Sequence, residues 1–359
     1  MYDFFGVVMN RCNNLYFDQV KFYHTLGMSI GGTLCEDVYI NGLCISPKPN
    51  TNRLMTATAD GFHPSLFRGE IIVTNSLFEQ SHDDSFNVKN AYQDAVSIQP
   101  TRVFYNPSSN IYVEAGDVIE IYRSSDFEFM GEYTVKEVDE KKNCYIIEGY
   151  IEEKYSSNHS YRICNVSKGA SVKISNTLIG NKRNRGMLLQ TRNIEISNCT
   201  FMNIVHGSIN VLSVHDSFME GHMPGDVVIK NCKFINNNWP DVYVYTWGSG
   251  GQDSVSRGVI KNITDENNFF AGQSGIAVSF WGVGESQIKN NLFAFLNYPN
   301  AISIAHSKDV TVADNLLVDT DEKTVCALDY NNISAIKQRN TECVVAEVQD
   351  VIYGEQKIR

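Results

Sequence analysis

The chain has 359 residues, 43% of them hydrophobic, and a formal net charge of −11. An acidic balance with no basic cluster excludes nucleic acid and anionic membrane as main partners, and no apolar run nears the ~20 residues that a spanning helix needs. Only 20% of the residues are charged and apolar segments recur regularly, which excludes a disordered chain.

Met1 is followed at once by a strand-like sequence, without the charged and apolar regions of a leader. These first residues already read as one rung of a repeat. Either the protein stays in the cytoplasm or this chain begins after its native start; the second is the favoured expectation, and with it an extracytoplasmic protein, periplasmic or secreted. Two rungs are centred on Leu15-Tyr16-Phe17-Asp18 and Val38-Tyr39-Ile40-Asn41, with Asp18 and Asn41 23 residues apart. The next stretch, Asp60 to Asn87, places Asp60 before an apolar strand pattern and Asp83-Asp84 after it. Asp60 and Asp83 are also 23 residues apart. If the coils are that long, neighbouring strands ~4.8 Å apart bring the three carboxylates to one patch.

From about Val96 to Lys168 the pattern breaks into short alternating strands between turn residues, such as Asp117 to Tyr122, Gly131 to Val138 and Cys144 to Glu148. That reads as an inserted small antiparallel barrel or sandwich, placed beside the acidic patch as a wall. Coils resume at Ala170. Val172-Lys-Ile-Ser-Asn176, Ile194-Glu-Ile-Ser-Asn198, Val228-Ile-Lys-Asn231, Asn267, Ile288-Lys-Asn290 and Val312-Ala-Asp314 repeat one figure. It is an alternating strand, an Asn or Asp, two residues, then a large apolar residue. Alternation by two sends Ile and Val to one face and polar residues to the other. Asn suits the left-handed corner that each coil needs. A single rung cannot bury its apolar face, but a stack can. The predicted fold is thus all-β: a right-handed parallel β-helix over 1–95 and 170–320, an inserted β-barrel-like domain over 96–169, and a C-terminal cap over 321–359. Nine cysteines form no metal-ligating pattern. Cys199 and Cys232, each after an Asn of the repeat, read as buried thiols in the interior turns.

Three crowded acids are costly to ionise together and mark a functional site. Any one Asp could be a mere corner former, but stacking of all three argues otherwise. Carboxylates on a sugar-sized surface suit glycoside hydrolysis, with one protonated acid serving the leaving oxygen and another group activating water. Arg183 and Arg185 open the first coil after the insertion and either neutralise these acids or hold hydroxyls. Glu220 starts the next loop. Trp239, Tyr243, Tyr245 and Trp247 fall in an inserted loop as stacking faces for sugar or as packing. His82, His206 and His222 read as structural, while His63 follows Asp60 by three residues. No metal and no cofactor is expected.

The segments Ala59-Asp60-Gly61-Phe62-His63, Asp83-Asp84-Ser85-Phe86-Asn87-Val88 and Asn184-Arg185-Gly186-Met187-Leu188-Leu189-Gln190-Thr191-Arg192 resemble glycoside hydrolase family 110. That family comprises inverting α-1,3-galactosidases built as a β-helix with a barrel insertion, and the resemblance covers roughly Asn41 to Leu317. It implies an exo-acting enzyme on terminal α-linked galactose of oligosaccharides or polysaccharides. It implies Asp83 as general acid, Asp60 and Asp84 as holders of the water, and His63, Asn87, Tyr92, Arg185 and Glu220 as galactose-binding residues. Lys89 and Asn90 stand where the family's Asn-Val-His-Gly has His and Gly, so Lys89 joins the candidate binding set. Two other readings are a polygalacturonase-like hydrolase, although no Gly-His-Gly or Arg-x-Lys is suitably placed, and a non-catalytic glycan-binding β-helix of the adhesin or tail-spike kind. A homo-oligomer is compatible with the sequence.

Overall fold

The computed structural model describes residues 4–318 except 109–110, 153–154, 156, 215–217, 252–253 and 299, together with the strands Thr324–Leu328 and Lys337–Arg339. The fold class is the expected one: a right-handed parallel β-helix with an inserted antiparallel barrel. Three sheets run along the stack. One begins at Asn13–Asp18, a second at Lys21–Phe22 and a third at Val7–Asn10, and each coil adds a strand to all three. The two N-terminal rungs pair as the period predicts, Asp18 opposite Asn41. The cap expected over 321–359 lies outside the described residues apart from the last two strands, which continue two of the sheets.

The repeated figure explains the winding. Asn75, Asn176, Asn198, Asn231, Asn267, Asn290 and Asp314 all have φ between 49° and 56°, the left-handed corner that Asn tolerates better than other side-chain-bearing residues. The next residue turns inward: Ser76, Thr177, Cys199, Cys232, Asn268, Asn291 and Asn315 are buried. Toward the C-terminus these side chains form a ladder. Asn268 accepts from the Cys232 N–H (2.8 Å), Asn291 from that of Asn268 (2.9 Å), and Asn315 from that of Asn291 (3.0 Å). Buried backbone donors at the corners are thereby satisfied. Two residues on, Phe201, Phe234, Phe270 and Phe293 stack with centroids 5.0, 4.6 and 4.9 Å apart and planes within 14°. Each is worth roughly 1.5–3 kcal/mol for burial alone. All seven described cysteines are free thiols.

The insertion grows out of one strand. Phe86–Gln99 begins in the helix, parallel to Phe62–Ser65 and Met187–Gln190. It then continues antiparallel to Tyr161–Asn165 and Arg102–Tyr105. With Val118–Arg123, Phe129–Asp139 and Cys144–Ile147 the pairing closes into a six-stranded barrel with its own core around Val103, Ile119, Val135 and Ile163. Across this excursion the coil resumes in register, Val172 opposite Ile71 and Ile174 opposite Val73.

The register corrects one detail of the sequence reading. Phe62 pairs with Phe86, and the Gly61 N–H reaches the Asp84 carbonyl. Asp60 therefore stacks on Asp84, 24 residues on, rather than on Asp83.

Candidate active site

All three acids sit just before strands of the sheet that faces the barrel side, where the chain rounds a corner. Asp60 Oδ1 accepts the Asp84 backbone N–H at 3.1 Å, and its Oδ2 meets His63 Nδ1. Asp84 Oδ1 accepts from Arg185 Nε at 2.8 Å, and Asp83 Oδ1 from Asn184 Nδ2. One oxygen from each acid lies within 4.8 Å of the others. Asp60 and Asp84 are buried, and Asp83 is the least buried of the trio. Burial pushes the Asp84 carboxyl up to about 7; Arg185 opposes that, while Asp60 and Asp83 add to it.

Lys182 was missed by the sequence reading. Its buried ammonium donates to Ser81 Oγ (2.7 Å), the Asp83 carbonyl (2.7 Å) and Ser85 Oγ (2.9 Å), directly beneath the acids. Burial pulls it down to about 7 against the attraction of Asp84, Asp60 and Asp83. A lysine at the end of an alternating strand reads as a solvated side chain. Only its position one coil from Asp83 hinted otherwise.

Eight of the nine candidate residues line one open pocket of about 400 Å³: Asp60, His63, Asp83, Asp84, Asn87, Lys89, Arg185 and Glu220. That volume suits a small ligand. Tyr92 is the exception. It is buried at 2% exposure with its hydroxyl 2.6 Å from Ser213 Oγ, packed on Phe127 and Tyr122. The strand has by then left the pocket for the barrel. Arg183 turns away to His82 (2.9 Å). His222 is buried and held neutral, its pKa lowered to about 3 by burial and by Arg192.

The outward face of the sheet builds the walls. Asn87 is opposite Leu188, and Lys89 opposite Gln190. Lys89 Nζ pairs with Glu220 Oε1, and Gln190 Nε2 donates to Glu220 Oε2 at 3.1 Å. Asn87 Oδ1 and Gln190 Oε1 are buried acceptors with no partner among the described residues, a condition that a ligand hydroxyl would relieve. Beyond them Leu188 and Leu212 pack against Tyr245 and Trp247 as an apolar floor. Tyr243, Tyr245 and Trp247 stack on the strand Val242–Trp247, not in a loop, while Trp239 lies apart on His206.

The insertion supplies no lining residue among those described, so its expected role as a wall is corrected. It acts from behind. Glu120 of the barrel takes Arg192 of the helix in a bidentate pair (2.7 and 2.8 Å), buttressing the segment that carries Glu220. The trio also lies closer than the ~6.5–9.5 Å expected of an inverting acid–base pair. As a metal-sized cluster it is partly engaged: His63, Asn184, Arg185 and the Asp84 N–H take four of its six carboxylate oxygens, and Arg185 and Lys182 stand close as cations.

No protein-family model matches the chain. Among curated proteins, it is 26% identical over 300 residues to α-1,3-galactosidase A of Akkermansia muciniphila, covering 80% of this chain and 49% of that protein. Against α-1,3-galactosidase A of Bacteroides thetaiotaomicron it is 23% identical over 325 residues, covering 86% and 56%. Against α-1,3-galactosidase B of Parabacteroides distasonis it is 26% identical over 250 residues, covering 65% and 41%. The chain thus spans about half the length of the curated relatives it matches. Among solved structures, the tailspike gp49 of Pseudomonas phage LKA1 aligns over 80% of this chain and 55% of its own, at 13% identity and a TM-score of 0.24. A likeness that weak carries no argument. Over most of its length the chain is similar to curated α-1,3-galactosidases, consistent with a family like glycoside hydrolase family 110.

Proposed function

We propose that the chain is a glycoside hydrolase that removes terminal α-linked galactose from oligosaccharide or polysaccharide chains, acting from the end and inverting the anomeric carbon as the resemblance to glycoside hydrolase family 110 implies. The short spacing of the trio counts against inversion, and hydrolysis stands without it. The observation that carries this reading is the meeting of Asp60, Asp83 and Asp84 in one open pocket beside partnerless buried acceptors. The names of the relatives support the substrate class. Asp83, the least buried acid, gives its proton to the glycosidic oxygen as the bond from that oxygen to the anomeric carbon breaks. A water held by Asp60 and Asp84 forms the new bond to that carbon and passes a proton to the pair. The products are galactose and the shortened glycan. Asn87, Gln190 and Glu220 read the hydroxyls, and the Leu188–Leu212–Tyr245–Trp247 floor takes the apolar face of the ring.

A uronic acid substrate is disfavoured, because Lys89 and Arg185 in this pocket are each already held by a carboxylate, Glu220 and Asp84. Asp83→Asn should lower kcat on an aryl α-galactoside by about 10²–10⁴-fold, with the fold and galactose binding kept. Full activity in that variant would remove Asp83 from the mechanism. Proton NMR of the first-formed sugar tests the stereochemistry separately: β-galactose supports inversion, and α-galactose overturns inversion while leaving hydrolysis intact.

A further inference from the structure

The three acids present six carboxylate oxygens, and these are held unequally. Both oxygens of Asp60 are engaged: Oδ1 takes the Asp84 backbone N–H at 3.1 Å, and Oδ2 meets His63 Nδ1. Asp83 and Asp84 are each held through Oδ1 alone among the described residues. Their Oδ2 atoms are left for whatever enters the pocket that both residues line.

The groups that hold these two acids are neighbours in the chain. Asn184 and Arg185 round a corner of the coil that follows the insertion, and its backbone is stacked on that of the acids, the Ser85 N–H reaching the Gly186 carbonyl at 3.1 Å. Asn184 Nδ2 donates to Asp83 Oδ1, and Arg185 Nε donates to Asp84 Oδ1 at 2.8 Å. Adjacent residues of one coil thus hold adjacent acids of the coil before it, one with an amide and the other with a cation.

That difference in charge sets the two acids apart. A guanidinium favours the ionised form of the carboxylate beside it, and Arg185 works against the burial that raises Asp84. An amide carries no charge and leaves Asp83 able to hold a proton, but it decides which oxygen holds it. A carboxylic acid has one O–H donor, and its other oxygen is the better acceptor. With an N–H donated to Oδ1, the hydrogen belongs on Oδ2, the oxygen without a partner among the described residues.

We propose that Asn184 is a positioning residue for proton donation, keeping the Asp83 hydrogen on Oδ2, on the side left open to the departing glycosidic oxygen. This rests on the hydrolase reading above, in which Asp83 is the acid. Asn184 touches no reacting atom and acts through Asp83.

The test varies how much the leaving group needs a proton. A 2,4-dinitrophenolate departs unprotonated, whereas the sugar oxygen leaving galactosyl-α-1,3-galactose takes a proton as its bond breaks. Asn184→Leu keeps most of the volume and removes the donor, and Asn184→Ala removes it without risk of a clash. Each should lower kcat on the disaccharide by about 10²-fold, and kcat on 2,4-dinitrophenyl α-galactoside by less than about threefold. A residue that merely packs the corner would lower both alike. Equal losses on the two substrates in both variants, or undiminished activity on the disaccharide, overturn the positioning role while the hydrolase reading stands. A wild-type chain inert on both substrates overturns the hydrolase reading, and the role of Asn184 with it.

Discussion

Lys182 and the three acids form a compact charge assembly. The ammonium lies beneath the turn that presents Asp83 and Asp84, tied to Ser81, Ser85 and the Asp83 carbonyl. Its positive charge favours ionised carboxylates above it, and theirs favours the ammonium. Lys182→Met keeps most of the volume and removes the charge. The cluster then holds its protons to higher pH, so the acid limb of kcat/KM should move up by about one unit. A purely structural lysine would lower activity without moving that limb, so the pH profile separates a positioning role from a packing one. Lys182→Arg, if accommodated, should return the limb toward the wild-type position. Little of this was legible beforehand. The acids announced themselves by spacing, but a buried lysine cannot be told from a solvated one until the coil shows what lies beneath the corner.

At the scale of the element, the strand Phe86–Gln99 does two jobs and explains where the sequence reading went astray. Its first residues alternate as a β-helix strand, with Phe86 and Val88 inward and Asn87 and Lys89 on the pocket face. Past Asn90 it leaves that sheet, pairs with Glu220–Gly221 and enters the barrel. Tyr92 belongs to this second part, so proximity to Asn87 in the chain did not mean proximity to the pocket. The same limit applies to register. The period was legible in the repeated Asn, but whether Asp60 meets Asp83 or Asp84 depends on how tightly one corner is wound. Gly221 is the joint of the arrangement, because a Cβ there would overlap the Tyr92 ring. Gly221→Ala should cost about 1–3 kcal/mol by overpacking and displace neighbouring Glu220, raising KM for the galactoside as well as lowering Tm. Tyr92→Phe makes the complementary control. It removes only the bond to Ser213, so stability should fall by about 1 kcal/mol while KM stays at the wild-type value. A raised KM in Tyr92→Phe would return Tyr92 to the sugar.

The whole molecule is a column whose interior is mostly apolar, yet it encloses carboxylates far from the pocket, and these set its response to pH. Asp241 is buried at the corner before Val242–Trp247, accepting on Oδ1 from Ser208 Oγ and from Asn237 Nδ2 (2.7 Å), with Gln273 also bonded to its carboxylate. Burial pushes its carboxyl up to about 7, against the smaller opposing effect of these bonds. A carboxyl whose folded pKa lies above its unfolded value favours the folded chain when protonated. That contribution is complete below the ordinary carboxylate range and is lost as the pH rises through about 7. The wild-type Tm should therefore decline between about pH 5 and pH 8, by roughly 2 °C or more from this group. Asp241→Asn keeps an acceptor for Ser208 and Asn237 and never ionises, so its Tm should vary less over that interval and exceed the wild-type value at pH 8. Parallel Tm–pH curves for the two proteins would mean that Asp241 ionises in the folded column without cost, and the source of any decline would then lie in Asp265, which burial likewise pushes up to about 7, or in Asp84 of the pocket.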